Sequence, residues 1–300
     1  MQFREITLED MAQALPLIER SGCMACDASF VNMFIWKNLY QSLICIRNGF
    51  LFRRGVGRSR LIYSYPLGGG DIADALSLIR EDAAEAGGLP AFEGLTEEQC
   101  PVVAAVYKDI DYTFEKTPQW ADYIYHSSDL AALGGKKYHS KRNFINRFQA
   151  EYGGRYALKE ITPDMLDDLW RFNLEWCARE GCAHGHSGVG SESCAIRTAF
   201  SNYTALGLRG QALYVDGSIA AYTFASHLLD TVADVHVEKA LASVTGAYAV
   251  INQALAAALA PSYQYLNREE DMGLDGLRQA KASYHPAIHL MRYSARGLRL

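Results

Sequence analysis

The sequence has no long apolar run that is typical of a membrane span or an export signal. Charged residues interrupt the first ten positions, where a signal peptide needs an apolar segment. The long uncharged stretch, residues 240–267, contains Asn252, Gln253 and Pro261 and divides into a helix and a strand. We therefore expect a cytoplasmic protein with no membrane span.

The sequence also lacks an excess of basic residues. Lys and Arg number 29 against 34 Asp and Glu, and the net charge of −5 argues against nucleic-acid binding by the whole surface. The seven cysteines are expected to be free thiols. We expect no metal, because one group of possible ligands has no common zinc spacing; it comprises Cys177, Cys182, His184, His186 and Cys194.

Two stretches far apart in the sequence follow the same pattern. Thr7 and Thr162 each end a short strand and begin a helix with an apolar stripe, and Asp10 completes a capping box with Thr7. Later in each stretch, two β runs flank Asn48-Gly49 or Asp216-Gly217, which are signals for a tight hairpin. The same order of signals predicts two copies of one fold.

Each predicted hairpin is followed by a strand, a glycine-containing turn and a helix, at residues 72–86 and 247–260. This succession indicates an α/β (α+β) fold with a mixed sheet, and the fold is duplicated in tandem. The 300 residues are enough for two cores. We predict an N-terminal domain at residues 1–130 and a C-terminal domain with the candidate active site at residues 131–300.

A polar face marks the predicted strand before the last long helix. Asp234, His236 and Glu238 alternate with Val235 and Val237, whereas a central strand in a covered sheet is apolar on both faces. The polar face therefore suggests a water-filled cleft, and an edge strand with one wet face is the alternative. Glu238 stands at the strand end where ligands collect in α/β folds.

The next turn, Thr245-Gly246-Ala247, opens a helix whose exposed amides could hold an anion. The equivalent loop of the first copy ends in Asp71, whose side chain is placed to cap those amides and to compete with a phosphate. This difference favours the second copy as the working site.

A dense group of polar residues lies between a short strand at residues 263–266 and a helix that stops at Pro286. A salt-bridged junction would explain them, and a binding site is the alternative interpretation. The residues concerned are Asn267, Arg268, Glu269 and Asp271 before the helix, and Arg278, Lys281 and Tyr284 on it.

A basic segment lies between the copies. If it is helical, Tyr138, Ile145 and Phe148 anchor it and its cations face solvent. On an acidic protein such a segment suggests an anionic partner, which could be cofactor phosphates, an RNA stem or a lipid head group. Its cations are Lys136, Lys137, Lys141, Arg142 and Arg147.

Two motifs resemble a known family. They are Asn267-Arg-Glu-Glu-Asp-Met-Gly-Leu-Asp-Gly-Leu-Arg-Gln-Ala-Lys-Ala-Ser-Tyr-His-Pro286 and Lys137-Tyr-His-Ser-Lys-Arg-Asn-Phe-Ile-Asn-Arg-Phe148. With them the chain is similar, over essentially its whole length, to soluble relatives of the C-terminal domain of bacterial phosphatidylglycerol lysyltransferases. The resemblance implies a tandem of two GNAT-type N-acyltransferase folds, in agreement with the repeat. Membrane-bound members of the family transfer an aminoacyl group from a charged tRNA to a lipid.

The resemblance also implies roles for the candidate residues. An acyl donor would lie between the strands that end at Glu238 and Leu266. Glu238 would be the base, helped by His236, and Tyr284 the acid. The donor's phosphate or oxyanion would be bound by Thr245, Gly246, Ala247, Arg268, Arg278 and Lys281, and the substrate by Asn267, Glu269 and Asp271. Glu269 and Asp271 could instead orient the cations.

The donor itself is predicted from a departure from the GNAT pattern. Residues 241–247 lack the Arg or Gln that usually precedes the first glycine of the phosphate loop. This departure weakens acyl-CoA as the donor and favours aminoacyl-tRNA, and we expect no tightly bound cofactor. The predicted function is acyl or aminoacyl transfer to an amine or hydroxyl acceptor.

Two alternatives remain open. One is a non-catalytic tRNA- or RNA-binding protein that uses the basic segment at residues 136–147. The other is a small-molecule binder in which Asp234, His236 and Glu238 coordinate an ion.

Overall fold

The computed structural model describes residues 1–57, 60–179 and 189–299. Its helices are α1 (Met11–Ser21), α2 (Phe30–Ile35), α3 (Lys37–Tyr40), α4 (Ile72–Glu85), α5 (Gln99–Val106), α6 (Ser127–Ala132), α7 (His139–Tyr152), α8 (Leu166–Arg179), α9 (Val189–Ser201), α10 (Ala247–Leu259) and α11 (Asp275–Ala282). Its strands are β1 (Arg4–Glu5), β2 (Leu43–Arg47), β3 (Phe50–Gly57), β4 (Arg60–Tyr63), β5 (Leu67–Gly68), β6 (Phe92–Leu95), β7 (Ile110–Lys116), β8 (Asp122–His126), β9 (Tyr156–Glu160), β10 (Arg209–Val215), β11 (Ser218–Leu229), β12 (Val232–Ala240), β13 (Tyr265–Asn267), β14 (Ile288–Leu290) and β15 (Tyr293–Arg299).

The chain forms two compact units, and each takes segments from both halves of the sequence. Unit 1 comprises Met1–Tyr123, Glu269–Gln279 and Ile288–Leu300, and unit 2 comprises Ile124–Arg268 and Ala280–Ala287. The continuous domains at 1–130 and 131–300 differ from this division. The polar group that follows β13 is therefore divided between the units. Glu269, Asp271 and Arg278 belong to unit 1, and the other members belong to unit 2.

The unit 1 sheet explains why the end of the chain returns to the first unit. Its strand order is β1-β2-β3-β4-β6-β15-β7, with β5 paired to β3. β15 is antiparallel to both β6 and β7, and it buries Tyr293 and Ala295 in the core of the unit. A strand from the second half of the sequence therefore completes this sheet.

The unit 2 sheet contains residues 124–126 of β8, followed by β13, β12, β11, β10 and β9. β12 and β13 are parallel, and their pairing runs from Val232 opposite Tyr265 to Asp234 opposite Asn267. β12 continues to Ala240 while β13 stops, so the two strands part beyond Asp234. Glu238 lies on the continuation of β12, which stays paired with β11 but has no partner on the β13 side.

Both predicted hairpins are confirmed. Asn48 and Gly49 connect β2 to β3 with φ angles of 51° and 78°, and Asp216 and Gly217 connect β10 to β11 with 51° and 80°. Two successive left-handed residues are typical of a type I′ turn, whose twist matches the flanking strands. The hairpins occupy equivalent places in the two sheets.

The predicted capping box at the start of the first helix is also present, and it makes a testable contribution to stability. The Thr7 backbone N–H donates to Asp10 Oδ2 at 2.7 Å, and Arg4 Nη1 donates to the same oxygen at 2.9 Å. The Arg4 hydrogen bond, with those of Thr7, outweighs burial and lowers the pKa of Asp10 from 3.8 to about 2.

We expect Asp10→Asn to lower the free energy of unfolding at pH 7 by about 1–2 kcal/mol, a range reduced because Arg4 is half exposed. Because the folded-state pKa is depressed, this contribution is present above about pH 4 and disappears as the pH falls towards 2. Denaturant unfolding of both proteins across this pH range measures it. A difference that does not change with pH would contradict the assignment.

Candidate active site

The candidate site of unit 2 is centred on the Glu238 carboxylate. Arg268 Nη2 donates to Glu238 Oε1 at 2.9 Å, and Asn252 Nδ2 donates to Oε2 at 2.8 Å. The Glu238 and Arg268 side chains are 13% and 10% exposed. The ends of β12 and β13 and the middle of α10 therefore meet at this carboxylate, where the two parallel strands part.

The Arg268 guanidinium lies over two aromatic rings, and the Arg268 carbonyl oxygen is bound by a lysine. Its guanidinium carbon lies 4.9 Å from the centre of the Tyr284 ring and 5.5 Å from that of Tyr125. Lys281 Nζ donates to the Arg268 carbonyl oxygen at 2.5 Å. Burial opposes the charge of Arg268, but Glu238 together with Tyr125 and Tyr284 outweighs burial and raises the pKa of the guanidinium. The structure thus brings together four predicted site residues: Glu238, Arg268, Lys281 and Tyr284.

Tyr284 is buried, and burial raises the pKa of its hydroxyl, with Arg268 opposing the shift. The hydroxyl therefore keeps its proton at neutral pH. Lys141 Nζ lies 3.9 Å from the centre of the Tyr284 ring, and burial, followed by repulsion from Arg268, lowers the pKa of Lys141. Our expectation that Lys141 faces solvent is wrong, because α7 directs this side chain into the site.

The other cations of the basic segment lie in separate environments. Arg142 Nη1 donates to the carbonyl oxygens of Leu133 and Gly135 at 2.5 and 2.7 Å, so it fastens the loop that follows α6. Lys137 pairs with Asp129 at 2.9 Å, and Lys136 is exposed. The predicted anchors of α7 are confirmed as buried; they are Tyr138, Ile145 and Phe148.

The turn before α10 is shaped by packing against α7. Gly246 has φ 84°, and a Cβ at this position would lie 2.4 Å from the Phe144 carbonyl oxygen. The glycine is therefore required by the left-handed conformation and by the close approach of α7. Thr245 and Ala247 flank this contact. In unit 1 the predicted cap is confirmed, since Asp71 Oδ1 accepts from the Ala73 amide at 2.8 Å.

The polar face of β12 is buried rather than lined by water. Asp234 is fully buried and the His236 side chain is 1% exposed, so the predicted water-filled cleft is wrong for these two residues. His236 Nε2 lies 2.8 Å from Ser226 Oγ, and His236 Nδ1 lies 3.7 Å from Asp234 Oδ2. Both Glu238 oxygens are bonded to Asn252 and Arg268 instead, so the trio predicted as an ion site does not share one ligand geometry.

Residues of the polar group that belong to unit 1 form a network of their own. Asp271 accepts hydrogen bonds from Arg278 Nε at 2.9 Å, from Tyr123 Oη at 2.7 Å and from the Gly273 amide at 2.8 Å. Glu269 Oε1 accepts from Asn32 Nδ2 at 2.8 Å. Asp271 therefore orients Arg278, in agreement with the alternative that this carboxylate orients the cations instead of binding the substrate. Asn267 is buried in unit 2, where it pairs with Ile124 in the sheet.

The corresponding strands of unit 1 also part early, since β4 and β6 pair only at Tyr63 and Phe92. An ion network with a buried guanidinium lies beside this point. Arg292 Nη2 is 2.6 Å from Asp27 Oδ2, and Arg292 Nη1 is 3.2 Å from Asp122 Oδ2. A pocket beside the network is lined by Arg53, Glu93 and Arg292.

Three residues of the site were not assigned to it from the sequence: Asn252, Lys141 and Tyr125. The sequence marks Asn252 as an interruption of an apolar stretch, and a polar side chain inside a buried helix is itself a signal for a polar partner. The helical pattern of α7 predicts a solvent-facing Lys141. Tyr125 gave no signal, because an aromatic residue in a strand is usually part of the core.

Possible metal ligands in unit 1 include Cys26, Asp122 and Glu270, which lie close to one another. Arg292 already neutralises the Asp122 carboxylate, and burial raises the pKa of the Cys26 thiol, which disfavours the thiolate that binds metals. Cys182, His184 and His186 lie outside the described residues.

Over residues 1–57, 60–179 and 189–299, no helix is both long and apolar enough to cross a bilayer.

Comparison with known proteins identifies the family. Residues 19–296 match the family model described as "Phosphatidylglycerol lysyltransferase, C-terminal". A crystal structure of a conserved protein of unknown function from Bacteroides thetaiotaomicron is 37% identical, with a TM-score of 0.94 over 98% of this chain and 99% of that chain.

Two further structures share the fold at lower identity. The C-terminal domain of a putative lysylphosphatidylglycerol synthetase from Agrobacterium fabrum is 17% identical, with a TM-score of 0.68 over 96% of this chain and 91% of that chain. L-PGS from Bacillus licheniformis is 17% identical, with a TM-score of 0.66 over 95% and 90%. The predicted tandem GNAT-like fold is confirmed. The chain belongs to the phosphatidylglycerol lysyltransferase C-terminal family.

Proposed function

We propose that unit 2 carries an acyltransferase centre that transfers an aminoacyl group from an activated ester to an amine or hydroxyl acceptor. The observation that carries the proposal is the meeting of Glu238, Arg268 and Tyr284 where β12 and β13 part. This is the place where a GNAT-type fold would hold its donor. Family membership supports the same class of reaction.

Three charge movements accompany such a transfer. The attacking amine or hydroxyl loses a proton, the carbonyl oxygen becomes negative, and the leaving group gains a proton. Glu238 is the candidate proton acceptor, since a carboxylate that accepts two hydrogen bonds retains further lone pairs. Arg268 and Lys141 supply positive charge beside it, and Tyr284 is the neutral acid. His236 would help Glu238 only indirectly, through the β12 backbone that carries both residues.

Aminoacyl-tRNA is the donor that we favour over acyl-CoA. The loop at residues 241–247 lacks the usual Arg or Gln, and the Phe144 carbonyl oxygen lies close to Gly246. An oxygen with a negative partial charge beside the first turn of α10 disfavours a phosphate in the position that coenzyme A normally uses. Lys136 and Arg147 remain available on the basic segment for a nucleic-acid backbone.

The donor can be identified by its effect on thermal stability, because a ligand that binds only the folded state raises its Tm. We expect mixed aminoacyl-tRNA to raise the Tm more than the same tRNA after deacylation, and acetyl-CoA to have no effect at equal concentration. A non-catalytic RNA-binding protein would respond equally to charged and deacylated tRNA. A shift with acetyl-CoA alone would contradict the choice of donor.

A further inference from the structure

Two polar atoms on either side of Glu238 are buried without a hydrogen-bond partner among the residues that the structure describes. They are Asn252 Oδ1, an acceptor, and Arg268 Nη1, a charged donor. Asn252 is 4% exposed, and the Arg268 side chain is 10% exposed. Each residue uses its other terminal atom to hold the Glu238 carboxylate. The clamp on Glu238 therefore presents one acceptor and one cationic donor.

The orientation of the Asn252 amide follows from its partner. An ionised carboxylate only accepts hydrogen bonds, so the amide nitrogen of Asn252 must face Glu238. The amide oxygen is consequently directed away from Glu238. Buried polar atoms in native proteins are almost always paired, and an unpaired one at a candidate active site points to a ligand.

A ligand that satisfies both atoms carries both a hydrogen-bond donor and an acceptor, and it lies close to a negative charge. An aminoacyl group has this pattern, because its amino group and its carbonyl oxygen are attached to neighbouring carbons. A simple acyl group has the carbonyl oxygen alone. Glu238 adds a preference for the protonated amine, since a nearby opposite charge stabilises an ammonium group.

We propose that Asn252 is a specificity-determining residue whose Oδ1 accepts a hydrogen bond from the amino group of the aminoacyl donor, while Arg268 Nη1 donates to the adjoining carbonyl oxygen. This inference rests on the proposed function. It assigns to α10 the discrimination between aminoacyl and plain acyl groups. If Asn252 only held Glu238 in place, its removal would weaken the binding of both classes of donor equally.

The test compares two stable adenosine amides, one with a glycyl group and one with an acetyl group linked to the ribose. They differ only in the amino group, and glycyl has no side chain that a pocket could reject. Calorimetry with the full chain measures both affinities. We expect the wild-type protein to bind the glycyl amide at least about tenfold more tightly, as a charge-assisted hydrogen bond in a buried site provides.

In Asn252→Ala we expect this ratio to fall towards one, chiefly through weaker binding of the glycyl amide. Gln253→Ala is the matched control, because Gln253 donates to the Ala131 carbonyl oxygen at 2.9 Å, whereas its neighbour Asn252 is the residue that donates to Glu238. It should keep the wild-type ratio. Circular dichroism establishes that each variant is folded, and equal wild-type affinities would overturn the inference even if Asn252→Ala does not fold.

The outcomes separate the inference from the proposed function. Equal wild-type affinity for the two amides overturns the role of Asn252 and leaves the transferase proposal standing. A parallel loss of affinity for both amides in Asn252→Ala also overturns it, in favour of a residue that only positions Glu238. If the wild-type protein binds neither amide at millimolar concentration, the aminoacyl donor and the inference both fail.

Discussion

Glu238→Gln is expected to reduce the rate of acyl transfer by about 10²–10⁴-fold, the usual contribution of a positioned general base. Glutamine has the shape of glutamate but cannot take up a proton at neutral pH. Its amide oxygen can still accept from Arg268, and the Asn252 side chain can rotate so that its oxygen accepts from the new amide nitrogen. The clamp around residue 238 is therefore retained while its basicity is lost, and the rotated Asn252 amide no longer offers its oxygen to the donor, so donor affinity should fall as well.

The measurement is single-turnover transfer at saturating donor, together with donor affinity and thermal unfolding. Loss of the ion pair with Arg268 costs about 3 kcal/mol of stability, so the assays belong well below the Tm of the variant. Glu160→Gln is the matched control, since Glu160 is an exposed glutamate on β9 of the same sheet. Transfer that survives in Glu238→Gln within a few-fold of wild type would exclude Glu238 as the base.

Local signals in the sequence predict the backbone of this site well. The Asp216-Gly217 turn connects β10 to β11, and alternation along residues 233–238 predicts β12. The polar residues after β13 also place Arg268 correctly, since it meets Glu238 across the parting strands. These features depend on residues close together in the sequence, whose backbone preferences act over a few positions.

The side chains that complete the site depend on packing between distant elements. α7 has a mixed polar sequence, and nothing within it shows that Lys141 meets Tyr284 rather than solvent. His236 and Glu238 alternate on one strand, yet they have different partners because Ser226 lies opposite one and Asn252 opposite the other. Periodicity indicates which face a residue occupies, but the neighbouring element decides its partner.

The division into units was also beyond local signals. β15 enters the unit 1 sheet between β6 and β7, and a strand's sequence shows its pattern of burial but not the sheet that it joins. Glu269 and Asp271 follow Arg268 directly, yet Asp271 pairs with Arg278 inside unit 1. Neighbouring positions in the sequence therefore do not show that residues serve the same site.

Arg292→Met is expected to lower the free energy of unfolding by about 3–5 kcal/mol, which is typical when one partner of a buried ion pair is removed. Asp122 is fully buried, and it accepts from Arg292 Nη1, from the Cys26 amide and from Cys26 Sγ. Burial opposes the charge of Arg292, but Asp27 and then Asp122 outweigh it and raise the pKa of the guanidinium. Methionine fills similar volume without charge, so the loss reports mainly on Asp122.

The pH dependence and a second substitution distinguish this cause from lost packing. Burial already raises the pKa of Asp122, and without Arg292 the carboxyl should be protonated in the folded state. A carboxyl whose pKa is raised by folding weakens stability as the pH rises above about 4, so the deficit of Arg292→Met should shrink from pH 7 towards pH 4. Adding Asp122→Asn should restore part of the loss at pH 7, because the asparagine carries no charge and its oxygen can still accept from the Cys26 amide. Urea unfolding of the four proteins of this double-mutant cycle measures the coupling, and strictly additive losses would show that charge pairing is not what Arg292 contributes to unit 1.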